Sequence, residues 1–101
     1  MDIQEKRSGR TLALYFSGEA DQHGVRDSLR RVDSAIDAAL PQILILDFSG
    51  VTFMDSSGIA LILRARDRIR LADGVIQVQN VPAQAKRVLD AAGISRLIPI
   101  R

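Results

Sequence analysis

Two adjacent hydroxyls between a carboxylate and a glycine, Asp55-Ser56-Ser57-Gly58, are the residues of this chain best placed for chemistry. Before them runs Ile43 to Phe48, apolar except for Asp47. A run that short, rich in isoleucine and leucine, reads as a strand buried on both faces. A loop of turn residues follows, and after the serines the pattern becomes helical. The hydroxyls thus stand where a buried strand hands over to a helix. Loops at the carboxyl ends of parallel strands are where open α/β sheets usually keep their function.

Two chemistries fit such hydroxyls. They can cap the free backbone N–H groups of a helix start, or one can be exposed for another protein to modify. Ser56 precedes Ile59 and Leu63 by three and seven residues, so the spacing places it on the core-facing side. Ser57 precedes Arg64 and Arg68 by seven and eleven residues, on the more polar side. Spacing alone leaves both chemistries open.

Other chemistries find little support. The single histidine, His23, lies in a polar stretch, and Gly-x-Ser-x-Gly is absent, so a Ser-His pair has no framework. Asp21 and Asp55 can be read as a carboxylate pair for acid–base work, or as a turn residue and a helix cap. Neither phosphate-cradling glycine motif occurs. There is no cysteine, which removes disulfides and thiolate metal sites. The expectation is a protein that is not an enzyme, with no cofactor and no metal.

The elements that must position the loop follow from periodicity. Leu12, Leu14 and Phe16 alternate with Thr11, Ala13 and Tyr15, which marks a strand over 10–17. The turn Ser8-Gly9 pairs it with a shorter first strand, 2–7. Residues 18–24 read as a loop. Val25, Leu29, Val32, Ile36 and Leu40 form one apolar helical face, which Pro41 ends. The next helix covers about 56–71, with Ile59, Ile62, Leu63, Arg66 and Ile69 inward, and Asp73-Gly74 stops it. Its Arg64, Arg66, Arg68 and Arg70 read as a solvated helix end that suits the dipole. Val75 to Gln79 is a strand, Ala83 to Ala92 a helix with Val88, Leu89 and Ala92 inward, and Gly93 its cap. A last strand is expected around Leu97-Ile98. The order β-β-α-β-α-β-α-β implies an α/β fold. Its sheet is mixed but mostly parallel, with helices packed on it.

Composition agrees with one domain over 1–101. The 101 residues are 47% hydrophobic and 26% charged. No apolar run approaches membrane-spanning length, and the N-terminus lacks a signal-peptide layout. A cytoplasmic protein with no membrane partner is expected. The net charge is +2 and the pI about 9.7. Basic and acidic residues are interspersed, so a mixed-charge surface is expected rather than direct nucleic-acid binding.

Phe53-Met54-Asp55-Ser56-Ser57-Gly58, after a buried strand, resembles the signature of the STAS-domain anti-sigma factor antagonists of bacteria. Ser17-Gly18-Glu19-Ala20-Asp21 resembles that family's Gly-Glu-Leu-Asp turn. Val81-Pro82-Ala83, Val88-Leu89 and Gly93-Ile94 resemble its later β-α-β portion. The resemblance covers almost the whole chain. It implies an antagonist that binds an anti-sigma factor serine kinase and frees a sigma factor, a transcription-regulating partner switch. It implies Ser57 as the phosphorylation site of the phosphoprotein, with a phosphoserine phosphatase restoring it. Asp21 and Asp55 match the family's acidic residues, and with Ser56, Ser57 and Gly58 they make the implied partner-binding set. The same fold also serves as a non-enzymatic binding subunit of transport or stress-signalling complexes, which is the alternative implication. Two departures stand out: Gly58-Ile59-Ala60 replaces the common Gly-Leu-Gly, and the sequence stops after the expected fifth strand, where the family continues into a last helix, so that helix is either absent or cut off. If it is absent, the surface it covers in the family is exposed; a monomer or weak homodimer is expected.

Overall fold

Sheet order follows from how the crossovers are made. The computed structural model describes residues 1–101. β1 (Asp2–Ser8) and β2 (Thr11–Ala20) form an antiparallel hairpin. Helix α1 (Gln22–Ala39) returns the chain to β3 (Ile43–Met54), parallel to β2, and α2 (Ser56–Leu71) returns it to β4 (Val75–Gln79), parallel to β3. The four strands lie in the order β1-β2-β3-β4. Successive right-handed crossovers in one direction put their helices on one face. There α1 packs on α2, and α3 (Ala83–Ala91) follows beside α2.

The core lies between that helical layer and one face of the sheet. Leu12, Leu14 and Phe16 of β2 meet Leu44, Leu46 and Phe48 of β3 and Ile76 and Val78 of β4. Phe16 and Phe48 stack with centroids 5.0 Å apart. From the helices come Val25, Val32 and Ile36, then Leu61, Ile62, Ala65 and Ile69, then Ala85 and Leu89.

Several sequence expectations need correction. β2 continues to Ala20 and β3 to Met54, so much of the stretches read as loops is strand, and α1 already begins at Gln22. The pairing shifts register between Tyr15 and Ser17 and again between Gly18 and Glu19. These irregularities break the alternation of buried and exposed residues. β3 is not buried on both faces, since Ile43 is exposed and Ile45 half-buried. Leu40 is exposed in a left-handed conformation (φ 46°) ahead of Pro41. On α2 the buried side is Gly58, Leu61, Ile62, Ala65 and Ile69, while Ile59, Leu63 and Arg66 are half-buried at its margins. On α3, Ala85 and Leu89 are buried and Ala92 is exposed.

The expected last strand is reduced to one parallel bridge, Ile100 to Val78. The amides of Arg96, Leu97 and Ile98 are used in tight turns back to Gly93 and Ile94, a 3-10 turn at Ile94–Arg96. They are therefore unavailable to the sheet until Pro99, whose carbonyl accepts from Val78 N–H.

The arginines of α2 are not simply solvated. Arg64 reaches Asp33 of α1 at 2.8 Å, and Arg68 holds Asp37 through two nitrogens while approaching Asp33 at 3.6 Å. These pairs tie the two helices together across their outer seam, and Arg68 keeps the Asp37 carboxyl below the usual carboxylate range.

Asp47 is the buried charge inside the sheet, at 2% exposure. Its carboxylate accepts from Ser49 N–H, Gln79 Nε2 and Asn80 Nδ2 at 2.8–2.9 Å. Burial pushes its pKa up, but these donors outweigh burial and the net shift is downward. A depressed carboxyl stabilises the fold fully above the unfolded-state pKa, about 3.9. That stability is lost as pH falls through the lower native pKa. Melting temperatures from pH 6 to 2 should therefore drop more steeply for the wild type than for Asp47→Asn. The variant should be less stable by about 1–3 kcal/mol at neutral pH, because one amide oxygen cannot serve three donors. Parallel pH profiles for the two proteins would refute this role.

Candidate functional site

The register of β2 with β3 builds the site. Ala20 and Met54 are paired neighbours, buried at the carboxyl ends of the two central strands. The next residue in each strand is an aspartate that caps a helix. Asp21 Oδ1 accepts from Gly24 N–H at 2.8 Å, and Asp55 Oδ1 accepts from Ser57 N–H at 2.8 Å. Asp55 N–H in turn donates to the Ala20 carbonyl at 3.3 Å, tying the two corners together. Two helix N-termini and two carboxylates therefore lie side by side. The Gly24 amide chiefly holds the Asp21 carboxyl below its ordinary range.

Capping is thus done by Asp55, not by the serine hydroxyls, and neither hydroxyl makes a hydrogen bond within the protein. The expected faces are also corrected. Ser56 is exposed, and Ser57 is half-buried. The buried set of α2 starts at Gly58, roughly 200° around the helix from Ser56 at about 100° per residue, which turns Ser56 outward. Ser57, four residues before Leu61, sits at the margin of the α1–α2 seam. It lines a shallow hollow with Gln22, Val25, Arg26, Leu29 and Ala60. A neighbouring polar hollow is lined by Asp21, Gln22, His23, Arg26 and Asp55. Thus Asp21, Asp55 and Ser57 come together, with Gly58 buried beneath and Ser56 at the outer edge.

Three contributors escaped the sequence reading. Phe53, an apolar ring just ahead of Asp55, is 42% exposed. Arg26 lines both hollows. Gln84 of α3 pairs with the unpaired edge of β3. Its Oε1 accepts from Met54 N–H and its Nε2 donates to the Met54 carbonyl, both at 2.8 Å. One side-chain amide stands in for a strand at the residue before Asp55. No local pattern signals a contact spanning 30 residues. Gln84→Ala should cost about 1–3 kcal/mol by stranding two backbone groups. It should also speed amide exchange at Met54 and Asp55. Unchanged exchange there would show that the clamp is dispensable.

His23 lines the same polar hollow as the acidic pair. His23 is solvent-exposed and lies 3.6 Å from Asp27, and no cluster of His, Cys, Asp or Glu suits a metal ion. No helix is long and apolar enough to cross a membrane. The geometry suits recognition: a polar surface with two acids, a free hydroxyl and an exposed aromatic.

The STAS domain family profile matches residues 2–101. The chain belongs to the STAS domain family. It is 31% identical over 101 residues to the anti-sigma F factor antagonist of Paenibacillus polymyxa, covering 99% of this chain and 86% of that one. The fold is that of the anti-sigma factor antagonist SpoIIAA in its unphosphorylated form, with a TM-score of 0.83 at 24% identity, covering 99% of this STAS chain and 88% of the other. The phosphorylated form of the Bacillus cell fate determinant SpoIIAA superposes with a TM-score of 0.74 at 24% identity, covering 99% and 91% of the two chains.

Proposed function

We propose that this chain is an anti-sigma factor antagonist that works by partner switching. Unphosphorylated, it docks the surface around Asp21, Asp55, Ser56, Ser57 and Gly58 on an anti-sigma factor that is a serine kinase, and docking frees the sigma factor. The kinase then transfers the γ-phosphoryl group of ATP to Ser57 Oγ. The P–O bond to ADP breaks, and the hydroxyl proton passes to a base of the kinase. The added group ends docking, and a phosphatase removes it by hydrolysis. The chain itself performs no catalysis and acts only by binding.

One observation carries this reading. Asp55 has taken over the capping duty, so the Ser57 hydroxyl has no structural task and stands at the rim of a hollow. Its place in the first turn of α2 also tolerates the product. A phosphoserine brings roughly −1.5 to −2 charges, and free N–H groups and the dipole at a helix start favour an anion. The relatives support the same role, since one is an anti-sigma F factor antagonist and SpoIIAA is known in both phosphorylated and unphosphorylated forms.

The test is intact-mass spectrometry after incubation with ATP and each anti-sigma kinase of the same genome, with Ser57→Ala alongside. Gain of one phosphoryl group, absent in Ser57→Ala, is the expected result. No modification by any kinase, with binding to a transport or stress-signalling scaffold instead, would replace this reading with that of a binding subunit.

A further inference from the structure

This step rests on Ser57 as the acceptor proposed above, and concerns what receives the phosphate within the chain. Arg26, on the second turn of α1, lines both hollows of the site. It is the only cation on the hollow that contains Ser57. Its side chain is exposed and takes part in no ion pair. Other arginines here are engaged: Arg31 donates to the Ile3 carbonyl, while Arg64 and Arg68 hold Asp33 and Asp37. A guanidinium without an ion pair thus shares a hollow with a hydroxyl that makes no hydrogen bond, and two acids line the adjoining hollow.

We propose that Arg26 is the intramolecular receptor for phosphoserine at position 57. Its planar fork of N–H donors matches a phosphate in a bidentate pair. The charged groups lining the two adjoining hollows are Asp21 and Asp55 on the acidic side and His23 and Arg26 on the basic side, with Glu19 next to Asp21 and Asp27 next to His23. Without Arg26 a phosphate dianion would face mainly carboxylates. With it, the modification adds an anion and at the same time withdraws the one free arginine from the docking surface. The switch therefore changes two features of that surface with one group.

The test installs phosphoserine at position 57 during translation, so no kinase is needed. Phosphorus NMR then follows the second phosphate ionisation in the wild type, Arg26→Lys and Arg26→Gln. An ordinary phosphoserine has its second pKa near about 6. The wild-type value should lie at least about half a unit below that of Arg26→Gln, with Arg26→Lys between, because a neighbouring cation favours the dianion. Circular dichroism should be the same for all three, since Arg26 is exposed. Values equal within about 0.2 units would overturn the proposal, because a cation in contact shifts a pKa by more than that. The two readings fail separately. A depressed phosphate pKa in a chain that no kinase modifies leaves the Arg26 contact standing and removes the partner switch. Kinase modification without any pKa difference does the reverse.

Discussion

Ser57→Asp is expected to weaken binding to the proposed anti-sigma kinase partner at least about tenfold and to leave the melting temperature within a few degrees of wild type. The two halves of this expectation have separate causes. In the fold, the new carboxylate enters the first turn of α2, where the dipole favours it by about 0.3–1 kcal/mol. Asp21 and Asp55 repel it, and Arg26 tempers that repulsion. These exposed contributions offset one another, so stability hardly moves. At the proposed interface the same charge would be desolvated against a partner surface that meets a neutral hydroxyl beside two acids. A misplaced like charge there costs several kcal/mol, and each 1.4 kcal/mol is about a factor of ten in affinity. Isothermal titration and thermal melts on the same preparation check both halves. A large fall in melting temperature would show that Ser57 is structural, and unchanged affinity would remove it from the docking surface.

Gly24→Ala should lower stability by about 3 kcal/mol, which for a domain this size is on the order of 10–20 °C in melting temperature. Gly24 is buried in the first turn of α1. A Cβ there would overlap the Glu19 carbonyl oxygen and crowd Asp21 Oδ1 and Met1 Cβ, each at 3.3 Å. Glu19 is held in the ladder opposite Phe53, so its backbone cannot yield without disturbing the strand that leads to Asp55. Overpacking contributes up to about 3 kcal/mol. The weakened Asp21 cap adds about 1, and the better helix propensity of alanine returns about 1. Asp21→Ala, which loses the cap without the clash, should cost only about 1 kcal/mol. Calorimetry of the two variants separates the contributions. A Gly24→Ala protein melting within about 3 °C of wild type would mean that the corner can open freely.

The site's residue types were legible in the sequence, but their division of labour was not. Asp55-Ser56-Ser57-Gly58 between an apolar run and a helical repeat announced a strand-to-helix junction, and the structure has it, although Asp55 alone separates β3 from α2. Which of the three polar residues caps the helix depends on the backbone angles at Asp55, which only the folded corner fixes. Helical spacing put Ser56 inward with Ile59 and Leu63. The error came from taking those two apolar residues as the centre of the buried stripe when they are its margins. Asp47 looked like a mere interruption of an apolar run, because its three donors include Gln79 at the end of β4 and Asn80 just after it, 32 and 33 residues on.

The elements through α3, the parallel core of the sheet, the family and the strand-to-helix corner beside the serines were legible in the residues alone. Those follow from local periodicity, turn residues and a contiguous motif. Tertiary packing was needed to put Asp21 and Asp55 side by side, to bring Arg26 to Ser57's hollow, to clamp Met54 with Gln84, and to reduce the last strand to one bridge. Each of these depends on strand register and helix docking, set by the summed packing of the whole core, and no short stretch of residues encodes it.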